Sequence, residues 1–502
     1  MEKSAGGLPS NNIGGSTMSA PLFLGIDIGT QGARVVMIDV QGNVAATAGE
    51  TFALSEQSRE EQSPQEWWSI SLNLIKAVVT RAKADVDLTS LRAISVTSTS
   101  GTVIPLDVNQ QPLHNAIMYS DKRSEAQGSL CRKLAMEYAP DGYTGFNSSS
   151  GLSKMVWFVE RFPGKAILIH RWVHAADFII GKLSGRWGIT DYTNVLKSGY
   201  DLRNLCWPGY LFQKLPLVRA WFPEVVAPGT VIGYIDPSLA HELGLTQEIT
   251  VVAGMTDGCA SQIASGAVHP GEWNTTIGTT LVIKGVTREE IKDPQDRIYS
   301  HRHPEGFWMP GGAGNIGADW VTSKFGEDLS NLTKEALQLI PTGHFAYPLQ
   351  QQGERFPFVA PHARGFAPTG LSKAALFAAN MEGVAYVERL AFETIQGLTG
   401  EKINRVFTAG GASNNDTWLK IRSNILNQPL IKMRHVTGAA GAAILAASKT
   451  HFPSIFEAVK AMTQVETQVQ PEPKLAAVYE RYYQTFVEIL QEKGFTKAMS
   501  IN

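Results

Sequence analysis

Residues 23–39 read FLGIDIGTQGARVVMID: an apolar run from Phe23 to Ile28 meets Gly29-Thr30-Gln31-Gly32, and a second apolar run follows from Val35 to Ile38. Apolar runs of this length around a glycine cluster predict two strands joined by a turn, and Gln41-Gly42-Asn43 then turns the chain into a third strand. Asp27 stands at the end of the first strand, beside a turn whose backbone N–H groups and Thr30 hydroxyl can receive phosphate oxygens. A carboxylate there suits a hydrated Mg²⁺, which keeps several waters and takes only one or two protein carboxylates. The same residues also fit a plain hairpin with a solvated Asp. Their spacing matches neither GxGxxG nor GxxxxGK[ST], so neither of those nucleotide loops is indicated.

Outward from this opening, strands and helices alternate as in α/β domains. Ser63-Pro64-Gln65-Glu66 carries a helix cap, a proline at the first helical position and the Glu of a capping box, and Trp67, Ile70, Leu74, Ile75 and Val78 follow at helical spacing. Strands are predicted at 93–97 and 102–106, a mostly helical region over 123–183, and a long helix over about 375–396. The motif WNTTIGTTLVI at 273–283 repeats the opening theme of strand, Gly-Thr turn and strand. The chain reads as two halves that begin alike, with the break near 264–271.

Five further places carry candidate chemistry. Asp257, in Gly254-Met255-Thr256-Asp257-Gly258, follows an apolar strand and suits a general base held on a rigid element, although an Asp-Gly pair also fits a turn or a helix cap. Gly278-Thr279-Thr280, Gly311-Gly312-Ala313-Gly314 and Gly410-Gly411 permit close backbone approach to a nucleotide, and tight turns would explain them too. Gly438-Ala439-Ala440-Gly441 lacks the bulk that would keep a helix away from a sheet or a nucleotide. By contrast, His301-Arg302-His303 lacks further ligands at metal spacing and reads as a solvated loop. Trp67 and Trp68 read as core, while Glu61-Gln62 before them is placed to face a polar ligand.

The 502 residues exceed what one core needs, and two large domains are expected. With 44 Lys+Arg against 46 Asp+Glu there is no broad basic field for a nucleic acid or an anionic membrane, and no apolar run approaches the length of a membrane span. Cys131, Cys206 and Cys259 are odd in number and form no CxxC pair, which argues against a disulfide framework or zinc knuckle and for a reducing cytoplasm. Residues 1–20 show neither a signal nor a transit pattern and read as a disordered extension, in which Met18 is a candidate internal start.

Taken in order, FLGIDIGTQGAR, EQSPQEWW, YSDKRS, KMVWF, TDYTN, AGMTDGCASQIASGAV, WNTTIGTT, MEGVAY, TAGGASNNDTWLKIRSNILNQP and TGAAGAAILAA resemble the FGGY carbohydrate kinases over about residues 22–490. The resemblance implies two actin-like ATPase (ribonuclease H-like) α/β domains, residues 21–266 and 267–502, with ATP and a sugar in the cleft between them. It implies Asp257 as the base that takes the proton from a terminal sugar hydroxyl, and Mg²⁺ served by Asp27 and Asp257. Asp27, Gly29, Thr30, Gln31 and Arg34 would line the first phosphate loop, Gly278, Thr279 and Thr280 the second, and Gly314, Gly411 and Asn415 the nucleotide. Ser98, Thr99 and Asp121 are the candidate sugar contacts.

The implied reaction is phosphoryl transfer from ATP to a small ketose, a pentulose such as D-ribulose or D-xylulose. Glycerol or another polyol is the alternative acceptor, and a non-catalytic nucleotide- or sugar-binding regulator is the alternative of another class. Residues 98–102 depart from the Gln-Met-His-Gly type of segment of ordinary xylulokinases, and Thr437 stands where an acidic residue is usual. The implied partner is a small-molecule sugar, with neither nucleic acid nor membrane, and a homodimer is compatible with the pattern.

Overall fold

The computed structural model describes residues 20–496 apart from Glu327, so the disorder expected of the N-terminal extension concerns residues outside the described ones. The first sheet is built on β1 (Leu22–Ile28), antiparallel to β2 (Gly32–Asp39), which pairs in turn with β3 (Val44–Thr51). On its other side β1 runs parallel to β4 (Leu91–Ser98), and β5 (Val231–Tyr234) and β6 (Thr250–Val252) complete the order β5-β6-β4-β1-β2-β3. A central strand covered on both faces reads as a continuous apolar run, and only Asp27 interrupts the burial of β1. Helix α1 (Pro64–Ala82) starts where Ser63 Oγ accepts the Glu66 amide, and it packs Trp67, Ile70, Leu74, Ile75 and Val78 on the sheet.

The second sheet comprises β7 (Glu272–Ile277), β8 (Leu281–Gly285), β9 (Ile298–Arg302), β10 (Trp308–Ala313), β11 (Arg405–Ala409), β12 (Leu430–Met433) and β13 (Val465–Val469), in the order β9-β10-β8-β7-β11-β12-β13. Reading β7, β8, β10, β11, β12 and β13 against β1, β2, β3, β4, β6 and β5 reproduces every pairing direction of the first sheet. The two Gly-Thr turns thus open two copies of one topology. The copies differ at the outer edge, where β5 precedes β6 but β13 follows β12, and β9 has no counterpart.

Between β4 and β5 lies an insertion with α2 (Gly151–Arg161), α3 (Ala175–Ser184) and three strands that form a four-stranded sheet with Glu61–Gln62. The helical expectation for 123–183 fails at Trp172, which lies on a strand, Arg171–His174, because that segment pairs with Val103–Leu106. A second correction concerns His301-Arg302-His303. His301 and Arg302 end β9, and His301 and His303 are both buried, with the His303 ring stacked on Phe456 at 5.8 Å. Packing overrides the polar composition there, against Tyr192–Val195 of the first half along β9 and within the second half at His303.

The halves meet through α4 (Asp257–Ala264) of the first and, after α5 (Lys373–Thr399) and α6 (Asp416–Leu426), α7 (Gly438–Ala447) of the second. Helix α7 is buried along its whole length against β1, β4 and α4. Its small residues are what permit this: a Cβ at Gly25 would lie 1.9 Å from the Ala439 carbonyl oxygen, and one at Gly441 1.9 Å from that of Ala260. Around them Phe23, Val36, Ile263 and Ile444 form a core shared by both halves. Elsewhere Arg132 pairs with Asp296 at 2.6 Å, Lys292 with Asp141 at 3.2 Å, and Arg203 with Glu290, each pair crossing from one half to the other. Among the described residues no helix is long and apolar enough to cross a membrane.

Candidate active site

Asp27 is the penultimate residue of β1, paired in register with Arg34 of β2 and Thr97 of β4. The β1–β2 turn follows at once, so Asp27, Gly29, Thr30, Gln31 and Arg34 line one cavity of about 1120 Å³. From the second half, the N-terminal end of α7 closes on the same carboxylate: a Cβ at Gly438 would lie 2.8 Å from Asp27 Oδ2. Burial, and then the neighbouring charge of Asp257, push Asp27 up to about 7 against the pull of Arg34. Its Oδ1 is buried and has no hydrogen-bond partner among the described residues.

Asp257 opens α4 directly after the strand Met255–Thr256, which pairs with β4. Three bonds hold this entry rigid. Thr97 Oγ1 donates to the Met255 carbonyl at 2.8 Å, and the Thr256 amide donates to Thr193 Oγ1 at 2.8 Å. That hydroxyl is in turn fixed by donating to Asp191 at 2.6 Å. Burial raises the Asp257 pKa, opposed by the Gly258 N–H that it accepts at 2.7 Å and by Lys197 and Lys284. A carboxylate on a rigid helix start, with its proton affinity raised by burial, has the properties of a general base.

The two Gly-Thr turns present matching backbone. Gly29 N–H bonds Gly32 O and Gly278 N–H bonds Thr280 O, each within its turn, whereas the amides of Thr30, Gln31, Thr279 and Thr280 have no acceptor among the described residues. Thr30 Oγ1 donates to Tyr119 Oη at 3.3 Å. Gly278 and Gly411 have open space where a Cβ would stand, so no packing requires them to be glycine. Gly314 differs, because a Cβ there would meet the Phe356 carbonyl oxygen at 2.8 Å, and packing accounts for it. Asn415 caps α6 by accepting the Trp418 amide at 3.0 Å, and its amide group donates to Thr333.

The candidate sugar contacts are all buried, and each has a structural task. Ser98 Oγ accepts the Ala176 amide at the start of α3, and Thr99 Oγ1 lies 3.1 Å from Thr102 Oγ1. The Asp121 carboxylate is gripped by Arg123, which also bonds Glu61, so its charge is already paired. Lys154, lowered to about 8 by burial, donates to the carbonyls of Asp121 and Ser148 and ties those segments together. Gln62 joins Trp67 Nε1 to the Thr30 carbonyl, bracing the first turn from α1.

Sequence reasoning missed Tyr119, Arg123, Lys197, Lys284 and Tyr299. Lys284 is buried on β8; burial, which works to lower its pKa, is outweighed by Cys259, Tyr299 and Asp257. Tyr119 and Arg123 lie within the YSDKRS motif, where Asp121 drew the attention, while Lys197, Lys284 and Tyr299 come from three separate elements and have no local signature. The metal implied by the motifs fits: one orphaned carboxylate oxygen on Asp27, with Asp257 close by, is a donor set of the size that phosphate-bound Mg²⁺ takes. No group of three or more His, Cys, Asp or Glu side chains able to hold a metal without such a ligand occurs among the described residues.

Comparison with known proteins agrees with this architecture. Residues 22–264 match the N-terminal domain of the FGGY family of carbohydrate kinases, and residues 274–450 match its C-terminal domain. The chain is 26% identical to a xylulose kinase of Staphylococcus epidermidis, covering 95% of this chain and 97% of the relative. It is 24% identical to a gluconokinase of Bacillus licheniformis, over 93% and 95%. The fold matches that of a xyloylose kinase from Brucella ovis with a TM-score of 0.83 at 22% identity, over 94% of this chain and 99% of that one. Two copies of one α/β topology, a half-buried carboxylate at the end of β1 and another opening α4 thus belong to a sugar kinase of the actin-like ATPase fold, and the chain is a member of the FGGY family of carbohydrate kinases.

Proposed function

We propose that this kinase transfers the γ-phosphoryl group of ATP to a terminal hydroxyl of a small ketose, a pentulose such as D-ribulose or D-xylulose. The observation that carries the reading is the pair Asp27 and Asp257, two half-buried carboxylates at the ends of strands that flank the end of β4, where Asp27 pairs with Thr97 and Thr256 with Ser98. In phosphoryl transfer the protein contributes mainly positioning and charge neutralisation. Thr30, Gln31, Thr279 and Thr280 offer their unpaired amides to phosphate oxygens. Asp257 accepts the proton of the attacking hydroxyl. Asp27, with Asp257, would hold Mg²⁺, which supplies neutralisation of the phosphate charge when bound.

The acceptor reading rests on the ordered motifs and on relatives that include a xylulose kinase. A regulator without turnover has no chemical need for a rigidly held Asp257. The test is an ADP-coupled assay over pentuloses, hexuloses, glycerol and gluconate. The reading expects a pentulose to give the highest kcat/KM. Glycerol or gluconate leading by tenfold overturns the ketose assignment, and ATP binding with no acceptor-dependent ADP overturns the kinase assignment for this chain.

A further inference from the structure

The base is flanked by two lysines, one from each half, and together they bring more positive charge than it can neutralise. Lys197 belongs to the insertion of the first half and Lys284 to β8 of the second. Their Nζ atoms lie 5.5 and 5.7 Å from the ring centroid of Tyr299. A Cβ at Gly258, the residue after Asp257, would lie 3.7 Å from Lys284 Cδ, and neither lysine forms an ion pair with a carboxylate among the described residues. Lys284 is 8% exposed, packed with its stem near Gly258 and Gly311, and serves as the buried companion of Asp257.

Lys197 is the surplus cation, and it has room. Its stem lies over Gly101, where a Cβ would be 3.5 Å from Lys197 Cδ, so it rests on the segment that carries Ser98 and Thr99. It lines a cavity of about 650 Å³ between the halves together with Ser149 and Tyr299. Next to the two ammonium groups, His301 is buried, kept neutral by burial and by their charge, and neither of its ring nitrogens has a partner among the described residues. An unneutralised ammonium and an unpartnered buried imidazole beside the base call for an oxygen-rich ligand, because buried polar groups are otherwise satisfied.

We infer that Lys197 is an acceptor-binding residue, donating a charge-assisted hydrogen bond to a sugar oxygen next to the hydroxyl that Asp257 deprotonates. This rests on the proposed kinase reaction and names a further residue that reads its acceptor. In the full-length enzyme, Lys197→Met should raise KM for D-ribulose or D-xylulose about 10–100-fold, the worth of a lost hydrogen bond to a charged group. KM for ATP should stay within about threefold, and Lys197→Arg should recover part of the loss. A purely structural lysine would disturb both substrates together.

A ketose KM within twofold of wild type in Lys197→Met, or a matching rise in KM for ATP, overturns the inference. If the wild type ignores ketoses but phosphorylates gluconate or glycerol, the pentulose reading fails, and the same KM ratio measured with that acceptor decides the role of Lys197. If no acceptor is phosphorylated, both fall.

Discussion

Asp27 and Asp257 were legible because a carboxylate at a strand end beside glycine is a local pattern. Lys197 and Lys284 were not, because their meaning arises only when two halves of the chain meet. Ser98 and Asn415 teach the converse: polar residues in motif positions turn out to hold helix starts, a task that any Ser or Asn can perform. Gln62 shows how far such bracing reaches, since Gln62→Ala would leave the buried Trp67 N–H unpaired and free the Thr30 carbonyl. A loss of about 1–3 kcal/mol in urea unfolding is expected from this change. Glu382, on α5, gives a pH prediction remote from the site. Burial pushes it up to about 7 from an ordinary 4.5, against hydrogen bonds from Thr342 and Tyr479. The folded state therefore keeps a proton that the unfolded chain has lost between those values, so this group's contribution to stability falls as pH rises through that window. The slope is at most about 1.4 kcal/mol per pH unit, flat outside the window. Urea midpoints of Glu382→Gln and wild type compared at about pH 5 and pH 8 check it: the variant should lose less stability between them.

Helix α7 is the element on which the site depends most. The sequence pattern of small residues announced a close approach, but not to what, and the answer is the first sheet and the helix carrying Asp257. Gly441→Val places a methyl-bearing carbon against the Ala260 backbone, and overpacking of this kind costs about 1–3 kcal/mol. Because the displaced partner is α4, kcat should fall at temperatures where the variant remains folded; wild-type kcat in a folded Gly441→Val protein would show that α4 is not held by this contact. The element that sequence patterning misread, β9, failed for the reason that α7 succeeded. Packing between halves decides burial at the interface, and local polarity cannot report it.

At the scale of the whole molecule, the duplicated sheet and the shared core make the cleft, and three ion pairs span it on the side of Lys197. Arg132 and Asp296 are each about half exposed in their side chains, 47% and 49%. Such pairs are worth about 0–1 kcal/mol each, so they bias the opening of the cleft more than they stabilise the fold. Replacing Arg132, Arg203 and Lys292 by Ala together should increase the ligand-free radius of gyration in solution scattering; an unchanged radius would show that the pairs do not hold the halves together. The topology of each half was largely readable from alternating strands, glycine turns and capped helices. Which residues the closed halves bring together was not, because no local pattern encodes a contact between α7 and β1. The central claim is that Asp257 removes the proton from the acceptor hydroxyl. Asp257→Asn, assayed with the best acceptor beside calorimetric ATP binding, tests it most directly. The account predicts kcat lowered by about 10²–10⁴-fold with ATP affinity within about threefold. A kcat near that of the wild type would contradict it.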